Sequence, residues 1–179
     1  MPAVHLAAHP ANRPEAVRGI AVAVNKAGAE RLTLAYTIEA DPARIRIPAP
    51  RASRIGRELW RHTCCECFIA ADGHPAYCEY NFSPSHEWAL YAFTKYRDGA
   101  PVIAEALDPR IEVRRFADRL ELSASIPLRA LPPPYRRERL SIGLSAVIED
   151  TDGGLSYWAL RHPADKPDFH HRDSFTLKL

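Results

Sequence analysis

Apolar and polar side chains alternate in segment after segment of this chain, and a period of two is the signature of strands. In "RLTLAYTIE" (Arg31 to Glu39), Leu32, Leu34, Tyr36 and Ile38 fall on one side, while Arg31, Thr33, Thr37 and Glu39 fall on the other. The preceding run "GIAVAVN" (Gly19 to Asn25) alternates in the same way, and the short link "KAGAE" makes the two a hairpin. A second hairpin joins "TCCECFIAA" to "AYCEYNF" across Asp72-Gly73, a favoured turn pair. "EWALYAF" follows the turn Ser83-Pro84-Ser85. "RIEVRRF" (Arg110 to Phe116) with "LELSASI" (Leu120 to Ile126) forms a third hairpin. "RLSIGLSAVIE" (Arg139 to Glu149) with "LSYWAL" (Leu155 to Leu160) forms a fourth, and "SFTLKL" (Ser174 to Leu179) follows. The 16 prolines gather between these runs rather than inside them, as expected where proline cannot donate to a ladder. The spacing predicts about ten or eleven short strands in an all-β sandwich or barrel. The one helical candidate is a short turn in "PLRALPPP", stopped by Pro132 to Pro134. "DPARIRIPAPRASRIGRE" (Asp41 to Glu58) reads as a long surface loop of the kind that borders a site.

The 179 residues suit one domain, 1–179, with a sizeable core. A net charge of +2 spread along the chain argues against a nucleic-acid or membrane surface, and "YRRERL" (Tyr135 to Leu140) reads as a solvated face. "MPAVHLAAHPANRP" lacks the basic and apolar regions of a signal or transit peptide. No apolar run reaches the roughly 20 residues that span a bilayer, so a cytoplasmic protein is expected. Cys64, Cys65, Cys67 and Cys78 are expected as free, buried thiols. Alternation splits the first three between two faces, which speaks against a sulfur-bound metal. The cluster His162, Asp165, Asp168, His170, His171 and Asp173 matches no metal-site spacing, so no metal is expected.

The same alternation sorts the candidate chemistry. Glu66 shares a face with Cys64 and Phe68, an apolar setting that makes it either a partnered buried group or a pocket floor. Tyr77, Glu79 and Asn81 share one face of the next strand, while Cys78, Tyr80 and Phe82 share the other, more core-like one. The stretch "EYNFSPSHEWALYAF" (Glu79 to Phe93) concentrates aromatics around these polar groups. Arg161, His162, Asp168 and His170 follow Trp158 closely enough to rim a pocket.

The strings "ELWRHTCCECFI" (Glu58 to Ile69), "AYCEYNFSPSHEWALYAFTKYR" (Ala76 to Arg97) and "YWALRHPADKPDFHHRDSFTL" (Tyr157 to Leu177) together resemble the bacterial DOMON-like domain proteins. That family is related to the family-nine carbohydrate-binding modules and to haem-binding DOMON domains. The resemblance implies an antiparallel two-sheet β-sandwich of jelly-roll type with a ligand site on one sheet face. Haem held by Met and His is disfavoured, since Met1 is the only methionine, and no cofactor is expected.

These readings converge on non-catalytic binding of a small polar ligand, a saccharide or sugar derivative. Trp60, Trp88 or Trp158 would stack on the ligand, Glu66 and Glu79 would accept from hydroxyls, and Asn81, Arg97 or Arg161 would donate, with His162 nearby. The alternative is a structural or protein-interaction sandwich without a small ligand, for which an oligomer is compatible. A third reading takes Glu66 and Glu79 as the carboxylate pair of a carbohydrate-active enzyme, but no motif fixes a reaction class.

Overall fold

The computed structural model describes residues 3–11, 15–133, 135–136 and 139–179. Met1, Pro134, Arg137, Glu138 and part of the opening "MPAVHLAAHPANRP", each invoked above, lie outside the described residues. The strands are β1 (Val4–Ala8), β2 (Val17–Ala27), β3 (Arg31–Ala40), β4 (Arg54–Ile55), β5 (Cys64–Ala71), β6 (Tyr77–Phe82) and β7 (Glu87–Lys95). They continue as β8 (Asp98–Pro101), β9 (Arg110–Arg115), β10 (Arg119–Ile126), β11 (Leu140–Glu149), β12 (Leu155–Ala159) and β13 (Leu177–Lys178). Among the described residues there is no α-helix and no helix long and apolar enough to cross a membrane. A 3₁₀ turn at Leu128–Ala130 stands where the short helical turn is expected.

Every run with clear alternation is a strand, and all four expected hairpins pair antiparallel. The expectation of an antiparallel two-sheet sandwich is not confirmed by the pairing. The chain forms one hydrogen-bonded sheet of 13 strands, mixed because β4 runs parallel to β7. Its path is β4-β7-β6-β5-β11-β12-β1-β2-β3-β10-β9, with β13 beside β11 and β8 beside β7. β1 makes the sheet continuous by changing partners halfway. Val4, His5 and Leu6 pair with β2, and Ala7 and Ala8 pair with β12.

The sheet curls so that its two limbs enclose one core. Leu34, Tyr36 and Leu122 come from one limb, and Cys67, Tyr80, Phe82, Trp88 and Leu144 come from the other. Tyr36 crosses this core to donate its hydroxyl to the main-chain carbonyl of Glu66 at 2.7 Å. The limbs differ on their outer sides. β10 alternates between buried and half-buried residues, as a sheet with one wet face does. β5, β6 and β11 are buried along their whole length, so something covers their second face. That cover includes the segment after β12, whose Phe175 stacks on Phe68 at 5.4 Å. All four cysteines are buried and free, with Cys65, Cys67 and Cys78 in the main core and Cys64 on the covered face.

Candidate functional site

The covered face holds two carboxylates. Glu66 of β5 and Glu79 of β6 are 2% and 5% exposed. Glu66 pairs with Asn81 and Phe68 with Glu79, which sets the carboxylates diagonally on neighbouring strands. Each has a neutral donor: the Ser145 hydroxyl gives to Glu66 Oε2 at 2.9 Å, and Asn81 Nδ2 gives to Glu79 Oε1 at 2.6 Å. Burial pushes the Glu66 carboxyl well above the usual carboxylate range, and the charge of Glu79 adds to the rise against the Ser145 hydrogen bond. Burial likewise lifts Glu79 to about 7, opposed by Asn81 and by the nearby Arg97 guanidinium.

His170 reaches this floor from the covering segment. Its Nε2 lies 3.7 Å from Glu79 Oε2, and its Nδ1 lies 2.9 Å from the Tyr77 hydroxyl. The Tyr77 oxygen already accepts the Arg97 backbone N–H at 3.1 Å, so its own proton is free to go to Nδ1. That arrangement leaves the His170 ring proton on Nε2, facing Glu79. Burial pushes His170 down to about 4, Arg97 adds to the drop and Asp168 opposes it, so the ring is neutral at pH 7. Arg97, at a left-handed φ of 54° between β7 and β8, ties this segment down. Its guanidinium donates to Asp168 at 2.8 Å, and Tyr96 donates its hydroxyl to the same carboxylate at 2.7 Å.

Between floor and cover lies a cavity of about 460 Å³, within the roughly 300–1,000 Å³ of small-molecule sites. Its walls are largely aromatic: Phe68, Tyr91, Phe93, Tyr157 and Phe169. Phe93 is held flat against Tyr77 with ring centroids 4.7 Å apart. Trp60 stands at the mouth on the 3₁₀ turn Leu59–Arg61 and is 43% exposed. The Arg61 guanidinium lies 5.1 Å from its ring centroid and is paired with Glu58 at 2.9 Å. Flat apolar faces above buried hydrogen-bonding groups suit a ring with a C–H surface and a hydroxyl edge.

Of the residues singled out from sequence, Trp60, Glu66, Glu79 and Arg97 line this cavity. Asn81 is fully buried outside the lining, where it donates to Glu79 and stands opposite Glu66. Trp88 and Trp158 are not brought there. Both lie in the main core on the opposite face of the sheet, and the Trp158 indole donates to Ser156 at 3.1 Å. Register accounts for Trp88, which stands opposite the core residue Phe82. Arg161 is exposed and outside the lining. His162 donates through Nε2 to the Ala7 carbonyl at 2.8 Å and packs edge-on to His9, securing the chain after β12 to β1.

Sequence reasoning placed His170 only as a candidate rim residue near Trp158, and did not assign Arg61, Phe93, Tyr157 or Phe169 to the site. Parity could have found two of them, since Phe93 alternates with Ala92 and Tyr157 alternates with the core residue Trp158. Phe169 and His170 lie in an aperiodic segment with no such signal. Among the described residues no group of three or more His, Cys, Asp and Glu side chains is placed to hold a metal ion.

No protein-family model and no curated protein sequence matches the chain. Solved structures do. One is a protein from Bacteroides uniformis ATCC 8492, described provisionally as carbohydrate-binding, with a TM-score of 0.75 and 14% identity over 98% of this chain and 84% of that one. Another is a family 9 carbohydrate-binding module from Caldicellulosiruptor kristjanssonii in complex with glucose, with a TM-score of 0.51 and 10% identity over 89% of this chain and 74% of that one. The curled all-β fold of this chain is therefore one it shares with these two structures.

Proposed function

We propose that this chain is a non-catalytic saccharide-binding domain of the DOMON-like type, with the covered cavity as its site. One observation carries the reading: two buried carboxylates floor an aromatic-walled cavity whose mouth presents a half-exposed tryptophan. Trp60 stacks on the C–H face of a sugar ring, while Glu66 and Glu79 meet hydroxyls inside. Burial favours the protonated form of Glu66, and in that form the carboxyl donates as well as accepts, so it suits a hydroxyl in either role. Likeness in fold to a module solved with glucose supports the same ligand class.

Calorimetry and tryptophan fluorescence against a panel of mono- and disaccharides test the proposal. Saturable binding that weakens about tenfold in Trp60→Ala is expected, since loss of one stacking face is worth roughly 1.4 kcal/mol or more. Absence of saturable binding across the panel overturns it.

A further inference from the structure

The charges lining the cavity do not cancel. Both guanidiniums are already neutralised: Arg61 by Glu58 at 2.9 Å, and Arg97 by Asp168 at 2.8 Å. The two floor carboxylates have no such counterpart. Among the described residues no Lys, Arg or His nitrogen lies within 4 Å of Glu66, and Glu79 has only His170 at 3.7 Å. Arg97 acts on Glu79 from a distance but is paired with Asp168, so neither of these almost wholly buried acids has a positive partner of its own. Their hydrogen bonds come from Ser145 and Asn81, which are uncharged. The walls above them are aromatic faces, and a ring quadrupole favours a cation over a neutral group.

We propose that the ligand carries a protonated amine, as an amino sugar does, and that its ammonium group seats over Glu66 and Glu79 inside the aromatic walls. The proposal rests on the saccharide reading for the ring and adds the charge. A neutral sugar leaves the acids to be satisfied by protonation, which burial already favours. An ammonium group reverses that balance, because an opposite charge at a few Å stabilises the ionised carboxylates. Its N–H donors would also meet acids that are otherwise held only by neutral groups. The exposed Trp60 at the mouth remains available to stack on the sugar ring.

D-glucosamine, D-glucose and N-acetyl-D-glucosamine share a ring and differ in charge at one carbon, so calorimetry at pH 7 with the three isolates the effect. Glucosamine is expected to bind about tenfold or more tighter than either neutral analogue, the size of a buried cation–π and carboxylate contact. Glu66→Gln and Glu79→Gln keep the shape, and each should reduce that preference to about threefold or less. Thermal unfolding checks that they remain folded, and the three-ligand comparison on the unaltered protein stands if they do not. Glucosamine binding no tighter than its analogues overturns the inference and leaves the saccharide reading intact. Binding of tetramethylammonium while none of the three sugars binds overturns the saccharide reading and, with it, the amino-sugar ligand. No binding of any of these four compounds overturns the inference, and the wider saccharide panel decides the reading beneath it.

Discussion

The Tyr36 hydroxyl donates to the Glu66 main-chain carbonyl at 2.7 Å, joining the far limb of the sheet to the strand that floors the cavity. Tyr36 is buried within the core, so no water can replace this donor. Tyr36→Phe keeps the ring and removes the hydrogen bond. Stability should fall by about 1–2 kcal/mol in urea unfolding, with an unchanged dependence on denaturant.

Two groups at the cavity floor make stability depend on pH in opposite directions. Glu79 has a folded-state value raised from 4.5 to about 7, so the folded state holds a proton that the unfolded chain has released. Its contribution is complete below pH 4.5 and is lost as pH rises to about 7. His170 is lowered from 6.5 to about 4, so its contribution is present above pH 6.5 and is lost as pH falls toward 4. Between these limits the two trends offset. Removing one exposes the other: Glu79→Gln should fall in stability from pH 6.5 to pH 4 more steeply than the unaltered protein. Guanidinium unfolding at pH 4.5, 5.5 and 7 checks the divergence.

The tryptophans should separate by role. Trp88 is 2% exposed in the main core, and Trp88→Ala should cost about 3–5 kcal/mol, enough to unfold a marginal domain. Trp60 is 43% exposed, and Trp60→Ala should change stability by about 0.5 kcal/mol or less. Paired thermal melts of the two variants test this contrast without any ligand.

Gly143 is a close-approach position. A Cβ there would lie 2.6 Å from Phe175 Cδ1 and 3.3 Å from Phe68 Cβ. Phe175 is itself buried and stacked on Phe68, so it has little room to move. Gly143→Ala should cost about 1–3 kcal/mol through overpacking. Because Phe175 belongs to the segment that covers the cavity, the same substitution should raise protease cleavage after β12.

Local alternation revealed the two faces of β5 and β6, because each residue's side is set by counting twos. Glu66 with Phe68, and Glu79 with Asn81, stand together on the covered face as that count requires. Trp88 shows what happens when residue type is weighed above parity, since its register with Phe82 sends it to the core. β8, "DGAP", has no apolar pattern, and β4 is two residues long, so neither announces itself. The placement of His170 is a tertiary fact. It depends on Tyr77, Arg97 and Asp168 drawing an aperiodic segment over the sheet, and no local rule encodes that. The continuity of the sheet was equally hidden, because it rests on a partner change within the five residues of β1.

That partner change sets an order on folding during synthesis. Leu6 finds Ile20 soon after both leave the ribosome, but Ala7 and Ala8 must wait for Ala159 and Trp158. The hairpin of β2 and β3 closes early and locally, while the seam between the limbs is among the last contacts available. Until residues 158 and 159 emerge, half of β1 is an unpaired edge beside a half-built core, the kind of surface that chaperones shield and neighbouring chains exploit. The loop that β1 closes spans nearly the whole chain, so its entropy weighs on the folding rate more than on final stability.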